Sequence, residues 1–331
     1  MASELTRAPT SKEHAKLKAR LNRLNRPEQI ARIDGVYKSM PGELPSTGLV
    51  VRSGFSFREE DIDADASDRR ATAHELRPPA TRLITSRGAA LRFAVTLLAL
   101  VQTKRKPGAK ARLNELGIEI GGNSRALGWT DLIAADATDS NRGGVYMTAR
   151  DKRARSVRNA LNGLAEAGLV SLPGEPGARN RFEEFVLLNE RGIGAVGEAE
   201  EYRVPKRDEE TFTMPAGFVT MGWLHVLEDS EIALLLMVAC RRGGWSENGL
   251  LVVPADTRLQ HYGIHRDAYS SARKTLEWCG LLKVEEVGRH GDGRAENSDL
   301  RVHRLGLESV GFEKPAALTM IDALTYQIAR S

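Results

Sequence analysis

One pattern occurs twice along the 331 residues and constrains the fold more than any other. It is a helix with one polar face, a Gly-Leu-Val or Gly-Leu-Leu stop, and then a hairpin with a glycine-rich tip. The first copy runs from Arg158 to Val170 and the second from Ala272 to Leu282. In the second helix Tyr269, Ala272, Leu276 and Cys279 recur at spacings of three and four, the stripe of a helix with one buried face. A helix turns about 100° per residue, so Asp267, Ser270 and Lys274 face the opposite way, flanked by Arg266, Ser271 and Arg273. Ile264 and Tyr269 hold the N′ and N4 positions of a hydrophobic staple. In the first helix Val157, Leu161 and Leu164 form the buried stripe. Lys152, Arg155 and Asn159 point away from it, flanked by Ser156, Arg158 and Asn162. Thr148 and Asp151 have capping-box spacing, with Asp where Glu or Gln is usual.

Each copy has a similar lead-in. Before the first, residues 89–102 read as an apolar helix, 127–135 as a further helix and 136–145 as a loop. After it, 169–172 and 182–188 read as strands around a turn rich in Pro and Gly. Before the second, residues 229–241 read as a helix, 250–253 as a short strand and 256–262 as a short helix broken at Gly263. After it, 281–287 and 300–305 read as strands around a tip at 290–294. The expected fold is mainly α with small β-hairpins, an α+β chain in six parts. These are a basic helical arm (1–40), a linker with an acidic run (41–80), a first domain (81–190), a linker (191–212), a second domain (213–310) and a C-terminal helix (311–331). The helix at 315–328 either packs on the core or pairs with a partner.

Both signatures resemble the recognition helix and wing of the winged helix-turn-helix superfamily. The resemblance covers more than half of the chain. It is closer in the second unit, which also has the preceding helix and turn at 256–264, than in the first, whose middle is longer and irregular. It implies two winged-helix domains in tandem, with a helix in the major groove of double-stranded DNA and a wing on the backbone or minor groove. Bacterial transcription regulators and plasmid replication initiators share this arrangement, and a third use is as a protein-interaction scaffold.

The residue chemistry points the same way. Residues 148–158 carry Arg150, Lys152, Arg153, Arg155 and Arg158 against Asp151 alone. Arg and Asn each make paired hydrogen bonds to guanine or adenine edges, and hydroxyls and cations grip phosphates. The expected DNA-binding residues are Lys152, Arg155, Ser156, Arg158, Asn159 and Asn162 on the first helix, with Arg179 and Arg181 on its wing. On the second helix they are Arg266, Ser270, Ser271, Arg273 and Lys274, with Arg289 and Arg294 on its wing. The formal net charge is only +4, so local clusters matter more than the total. Residues 11–32 form one such cluster. Leu17, Leu21 and Leu24 recur there at helical spacing before Pro27. Residues 59–68 are strongly acidic, which reads as a solvated spacer or as a strip that docks on the basic arm.

Other signals are weaker. The stretch from Gly192 to Gly197 matches Gly-x-Gly-x-x-Gly, but Pro205 cuts off the second strand that a dinucleotide fold needs. His261 and His265 are four apart, with Gly263 between them, which fits a turn better than a zinc pair. Cys240 and Cys279 sit in apolar patterns as reduced core thiols. No run of about 18 apolar residues occurs, so no membrane segment is expected. The expectation is therefore a bacterial, cytoplasmic, nucleoid-associated protein that is not an enzyme and has no cofactor or metal. Its partners are double-stranded DNA and a second copy of itself in a homodimer.

Overall fold

In the computed structural model the chain begins with helices α1 (Ser11–Leu24) and α2 (Pro27–Lys38), then strand β1 (Leu49–Arg52), a short helix α3 (Pro79–Arg82) and the long helix α4 (Ala90–Lys104). Strands β2 (Ser140–Arg142) and β3 (Val145–Met147) precede α5 (Ala149–Glu166), which is followed by β4 (Val170–Ser171) and β5 (Val186–Leu187). Then come β6 (Thr211–Met214), the short helices α6 (Gly217–Thr220) and α7 (Trp223–Val226), and α8 (Asp229–Cys240). The second signature is built from β7 (Trp245–Glu247), β8 (Leu250–Val252), α9 (Ala255–Gln260), α10 (Arg266–Trp278), β9 (Leu282–Glu286) and β10 (His303–Leu307). Helices α11 (Ser309–Phe312) and α12 (Ala316–Ala329) close the chain. The residues described are 9–60, 72–84, 89–122, 126–142, 145–178, 181–192, 199–286 and 303–330.

The fold mixes helix with small antiparallel sheets, helix predominating. Strands β7, β8, β10 and β9 form one four-stranded sheet in that order, with Leu305 opposite both Val284 and Leu251. The other described sheets are pairs: β1 with β6, β2 with β3 and β4 with β5.

The repeated Gly-Leu signature is a helix-ending device. Gly168 (φ +71°) follows α5 and Gly280 (φ +69°) follows α10, both in the left-handed region that glycine enters without a Cβ penalty. Leu169 N donates to Leu164 O at 2.8 Å and Gly168 N to Ala165 O at 3.0 Å. Leu281 N donates to Leu276 O at 2.9 Å and Gly280 N to Glu277 O at 3.0 Å. These paired bonds are the Schellman closure of a helix C-terminus, and the leucine after each glycine is buried, as that motif favours.

The N-terminal segment is not a free arm. Leu24, Ile33, Val36 and Met40 are buried in the same core as α4 and α8, and α1 packs along α12. Arg20 is 6% exposed. Its two terminal nitrogens each lie 2.7 Å from an oxygen of Glu231 on α8, and one also donates to Val226 O at 3.1 Å. Burial opposes that charge, but Glu231 outweighs it and raises the Arg20 pKa. Hydrophobic residues at helical spacing were the sign of this packing; the basic face concealed it.

The stretch expected as a linker at 41–80 also enters the core. Leu49, Val51, Phe55 and Phe57 are buried, and β1 pairs with β6, Leu49 opposite Met214. Arg52 is buried between Glu190 and Glu209. Of the acidic run, Glu59 pairs with Arg242 and Glu60 with Arg58, not with the N-terminal helices; residues 61–71 lie outside the described part. The expected 191–212 linker is likewise anchored. Tyr202 is fully buried and its hydroxyl accepts from Gln102 Nε2 at 3.0 Å. Of the Gly-x-Gly-x-x-Gly stretch, 193–198 lie outside the described residues.

Candidate nucleic-acid interface

Helix α5 is fixed at both ends, which makes it a stiff mount for side chains. Thr148 Oγ1 accepts from Asp151 N at 3.1 Å, and the Asp151 carboxylate accepts from Thr148 N at 3.3 Å, so the capping box closes with Asp at N3. Hydrogen bonds from Thr148 hold the Asp151 pKa down. The Schellman closure locks the other end. Val157, Ala160, Leu161 and Leu164 are buried. On the opposite side Arg155, Arg158 and Asn159 are exposed and Asn162 is half-buried. All four line one shallow groove of about 430 Å³, walled by Met147 and Phe182. None of the four hydrogen-bonds through its side chain to another described residue. The groove therefore presents two guanidiniums and two carboxamides with donors to spare.

The remaining α5 candidates differ. Ser156 is half-buried and lies outside the groove. Lys152 Nζ donates to Thr138 O at 2.5 Å and is spent on the preceding segment. Arg150 donates to the carbonyls of Gly121 and Gly122. Arg153 is half-buried, and burial followed by the charge of Arg32 lowers its pKa. On the hairpin after α5, Arg181 donates to Gly174 O at 2.7 Å and covers the Phe182 ring, so it closes its own turn. Arg179 lies outside the described residues.

Helix α10 carries a smaller outward face than its sequence implied. Ala272, Leu276 and Cys279 are buried as expected, and Tyr269 packs under Arg258, whose guanidinium lies 4.6 Å from the ring centre. Ile264 is buried at N′ and His265 is the N-cap, which places Tyr269 at N4 as the staple requires. Arg266 and Ser271 are exposed and Ser270 half-buried. Arg273 requires correction: it is 9% exposed and its guanidinium lies 3.7 Å from Glu277, on the core side of the helix. Lys274 Nζ lies 3.5 Å from Glu13, so α1 covers the C-terminal half of the face. The part of α10 open to a ligand is its first two turns. Arg289 and Arg294 lie outside the described residues.

The N-terminal helices tie the two faces together. While α1 meets α10 through Glu13, α2 meets the segment before α5: Arg26 pairs with Asp136 at 2.7 Å and Gln29 donates to Ala134 O at 2.8 Å. The expected loop at 136–145 contains a hairpin, β2 with β3, whose Val145 and Tyr146 are exposed. Asp139 anchors it, accepting from Tyr146 Oη at 2.7 Å and from Ala149 N at 2.6 Å. Gly143-Gly144 between short polar and apolar runs was the available turn signal.

His261 and His265 flank the α9–α10 turn, and no group of metal-ligating side chains occurs among the described residues. Cys240 and Cys279 are buried thiols, pushed up to about 11 and about 12 by burial. No described helix is long and apolar enough to cross a membrane. Compared with known proteins, the chain matches no family model, no curated protein and no solved structure.

Proposed function

We propose that this chain binds double-stranded DNA at specific sequences, without chemistry, through two winged-helix units held in one body. The observation that carries the reading is the α5 groove. Arg155, Arg158, Asn159 and Asn162 stand together, with no side-chain hydrogen bond to a described residue, on a helix whose two ends are locked. Arg and Asn at helical spacing are the side chains that read guanine and adenine edges in a major groove. The order α8, β8, α9, α10, β9, β10 supports the second unit: a helix, a short strand, two helices joined by a tight turn, then a hairpin. In the first unit α4, α5 and the β4–β5 hairpin play the corresponding parts, with β2–β3 inserted ahead of α5.

The reading assigns base contacts to Arg155, Asn159 and the first turns of α10, including Arg266, Ser270 and Ser271. It assigns transcription regulation as the use. A second reading, a plasmid-type replication initiator, is favoured by the two unlike faces on one chain, which suit an asymmetric, repeated element. The test is selection of duplexes from a random library, followed by titration at several salt concentrations. An enriched inverted repeat supports the regulator and direct repeats support the initiator. With about 4–8 phosphate contacts, the slope of log affinity against log salt is roughly −4 to −7. Arg155→Ala and Asn159→Ala each cost about 1–3 kcal/mol on the selected site and relax discrimination at one or two base pairs. No enriched sequence and a flat salt dependence overturn the reading.

A further inference from the structure

A second cleft lies away from the α5 groove, with a volume of about 510 Å³. Its lining includes three arginines with no salt bridge to a described carboxylate, the half-buried Arg77 and Arg82 and the exposed Arg191, although the charge of Arg191 is felt at Glu59 and Glu209. Among the described residues the Arg77 side chain donates to the Thr72 carbonyl, at 3.0 Å. The Arg82 side chain donates to no described residue, and its Nε is buried without an acceptor. A buried donor left unpaired costs folding free energy, so such a group calls for a reason.

Each of the three rests on a glycine. A Cβ at Gly54 would lie 2.8 Å from Arg191 Cγ, one at Gly192 would lie 2.9 Å from Arg82 Nη2, and one at Gly263 would lie 3.1 Å from Arg77 Cγ. The stems of Arg191 and Arg77 and the guanidinium of Arg82 thus pass close to glycine backbone, at Gly54, at Gly263 (φ +67°), where Thr81 Oγ1 is nearer still, and at Gly192 (φ +82°). Arg58 stands beside Arg82 with its own Nε unsatisfied. The like charge of Arg58, after burial itself, lowers the Arg82 pKa.

We propose that this cleft binds a small organic dianion, through a phosphate or a pair of carboxylates gripped by Arg77, Arg82 and Arg191. The planar fork of arginine fits both groups with paired hydrogen bonds. Phe57, Pro78 and Pro79 supply an apolar wall for the body of the molecule. Five carboxylates also line the cleft: Glu59 and Glu210 pair with Arg242, Glu60 with Arg58 and Glu209 with Arg52, and Glu75 stands exposed. One compact dianion can sit on the three guanidiniums between these pairs, whereas a long polyanion would also have to pass the exposed carboxylates. Since Arg77 rests on Gly263 in the turn before α10, an occupant reaches that helix through two residues. The binding itself is independent of the DNA reading.

The test is calorimetric titration of the full-length protein with pyrophosphate, with malonate and with a short duplex. Saturable binding of pyrophosphate or malonate supports the proposal, and their ranking tells the phosphate source from the carboxylate one. Arg82→Gln should weaken that binding about 10- to 100-fold, the worth of a charged hydrogen-bonded pair. It should also leave the ligand-free melting temperature unchanged or higher, because it removes a half-buried guanidinium whose Nε has no acceptor. Absence of saturable binding by both small anions overturns the proposal. So does undiminished binding by the variant, a lower ligand-free melting temperature that marks a structural role, or duplex binding that needs Arg82 and displaces the small anion.

Discussion

Removing the Arg20 side chain should show that the N-terminal helices belong to the folded body. The pair with Glu231 joins α1 to α8, and the two side chains are 7% and 3% exposed. At an effective dielectric of about 20, charges this close attract by roughly 4 kcal/mol. Taking both out of water costs several kcal/mol per ion, so the pair adds little net stability. The loss of one partner is a different matter. Arg20→Met leaves a buried carboxylate with no counter-charge and should cost about 3–5 kcal/mol. The double variant Arg20→Met/Glu231→Met removes both charges and should lie within about 2 kcal/mol of the parent. The assay is urea unfolding followed by circular dichroism at pH 7, analysed as a double-mutant cycle. A cost below about 1 kcal/mol for Arg20→Met, or a double variant as unstable as the sum of the single ones, refutes the reasoning. Deletion of residues 1–40 would, by the same logic, unfold the protein rather than merely weaken its grip on a ligand.

Arg273→Ala should lower the melting temperature and leave duplex discrimination unchanged, whereas Arg266→Ala should weaken duplex binding with the melt intact; a paired titration and thermal scan separates them. Burial, aided by Arg92, lowers the His225 pKa to about 3. The unfolded chain takes up this proton near pH 6.5 and the folded chain does not, so stability is lost as pH falls from about 6.5 toward 3. His225→Gln should remove a loss of about 2 kcal/mol between pH 7 and pH 5, and an unchanged pH slope in urea would count against it. Asp229, pushed up to about 6 by burial, acts oppositely and gains stability as pH falls through 6, so the variant should become firmer on mild acidification. Gly280→Ala places a Cβ at φ +69° and should cost about 1–2 kcal/mol, read from the urea midpoint.

Local devices were the legible part of the sequence. The capping box at Thr148 and Asp151, the N′ and N4 positions of Ile264 and Tyr269 and the glycine stops at Gly168 and Gly280 each depend on neighbours within a few residues, and each is present. The Gly-Leu repeat, however, encodes how a helix ends, and that chemistry is shared by many folds. What stayed hidden depends on partners distant in sequence. Arg273 looked outward because it flanks the stripe by about 100°, yet Glu277 on the next turn and the packing around it hold it inside. Lys274 pairs with Glu13, and Arg20 with Glu231, across separations no periodicity reports. Basic composition concealed the buried face of α1, and prolines made β1 and its neighbours resemble a spacer.

The pairing of the first helix with α8 also sets a timetable for synthesis. Arg20 and Glu231 are 211 residues apart in the chain, and the β1–β6 ladder likewise awaits Met214. At about 5–20 residues per second, a ribosome takes roughly 10–40 s to supply the partner after Arg20 is made. Through that interval Leu24, Ile33 and Val36 leave the exit tunnel with no core to enter, a window in which a holdase chaperone has an apolar helix to shelter.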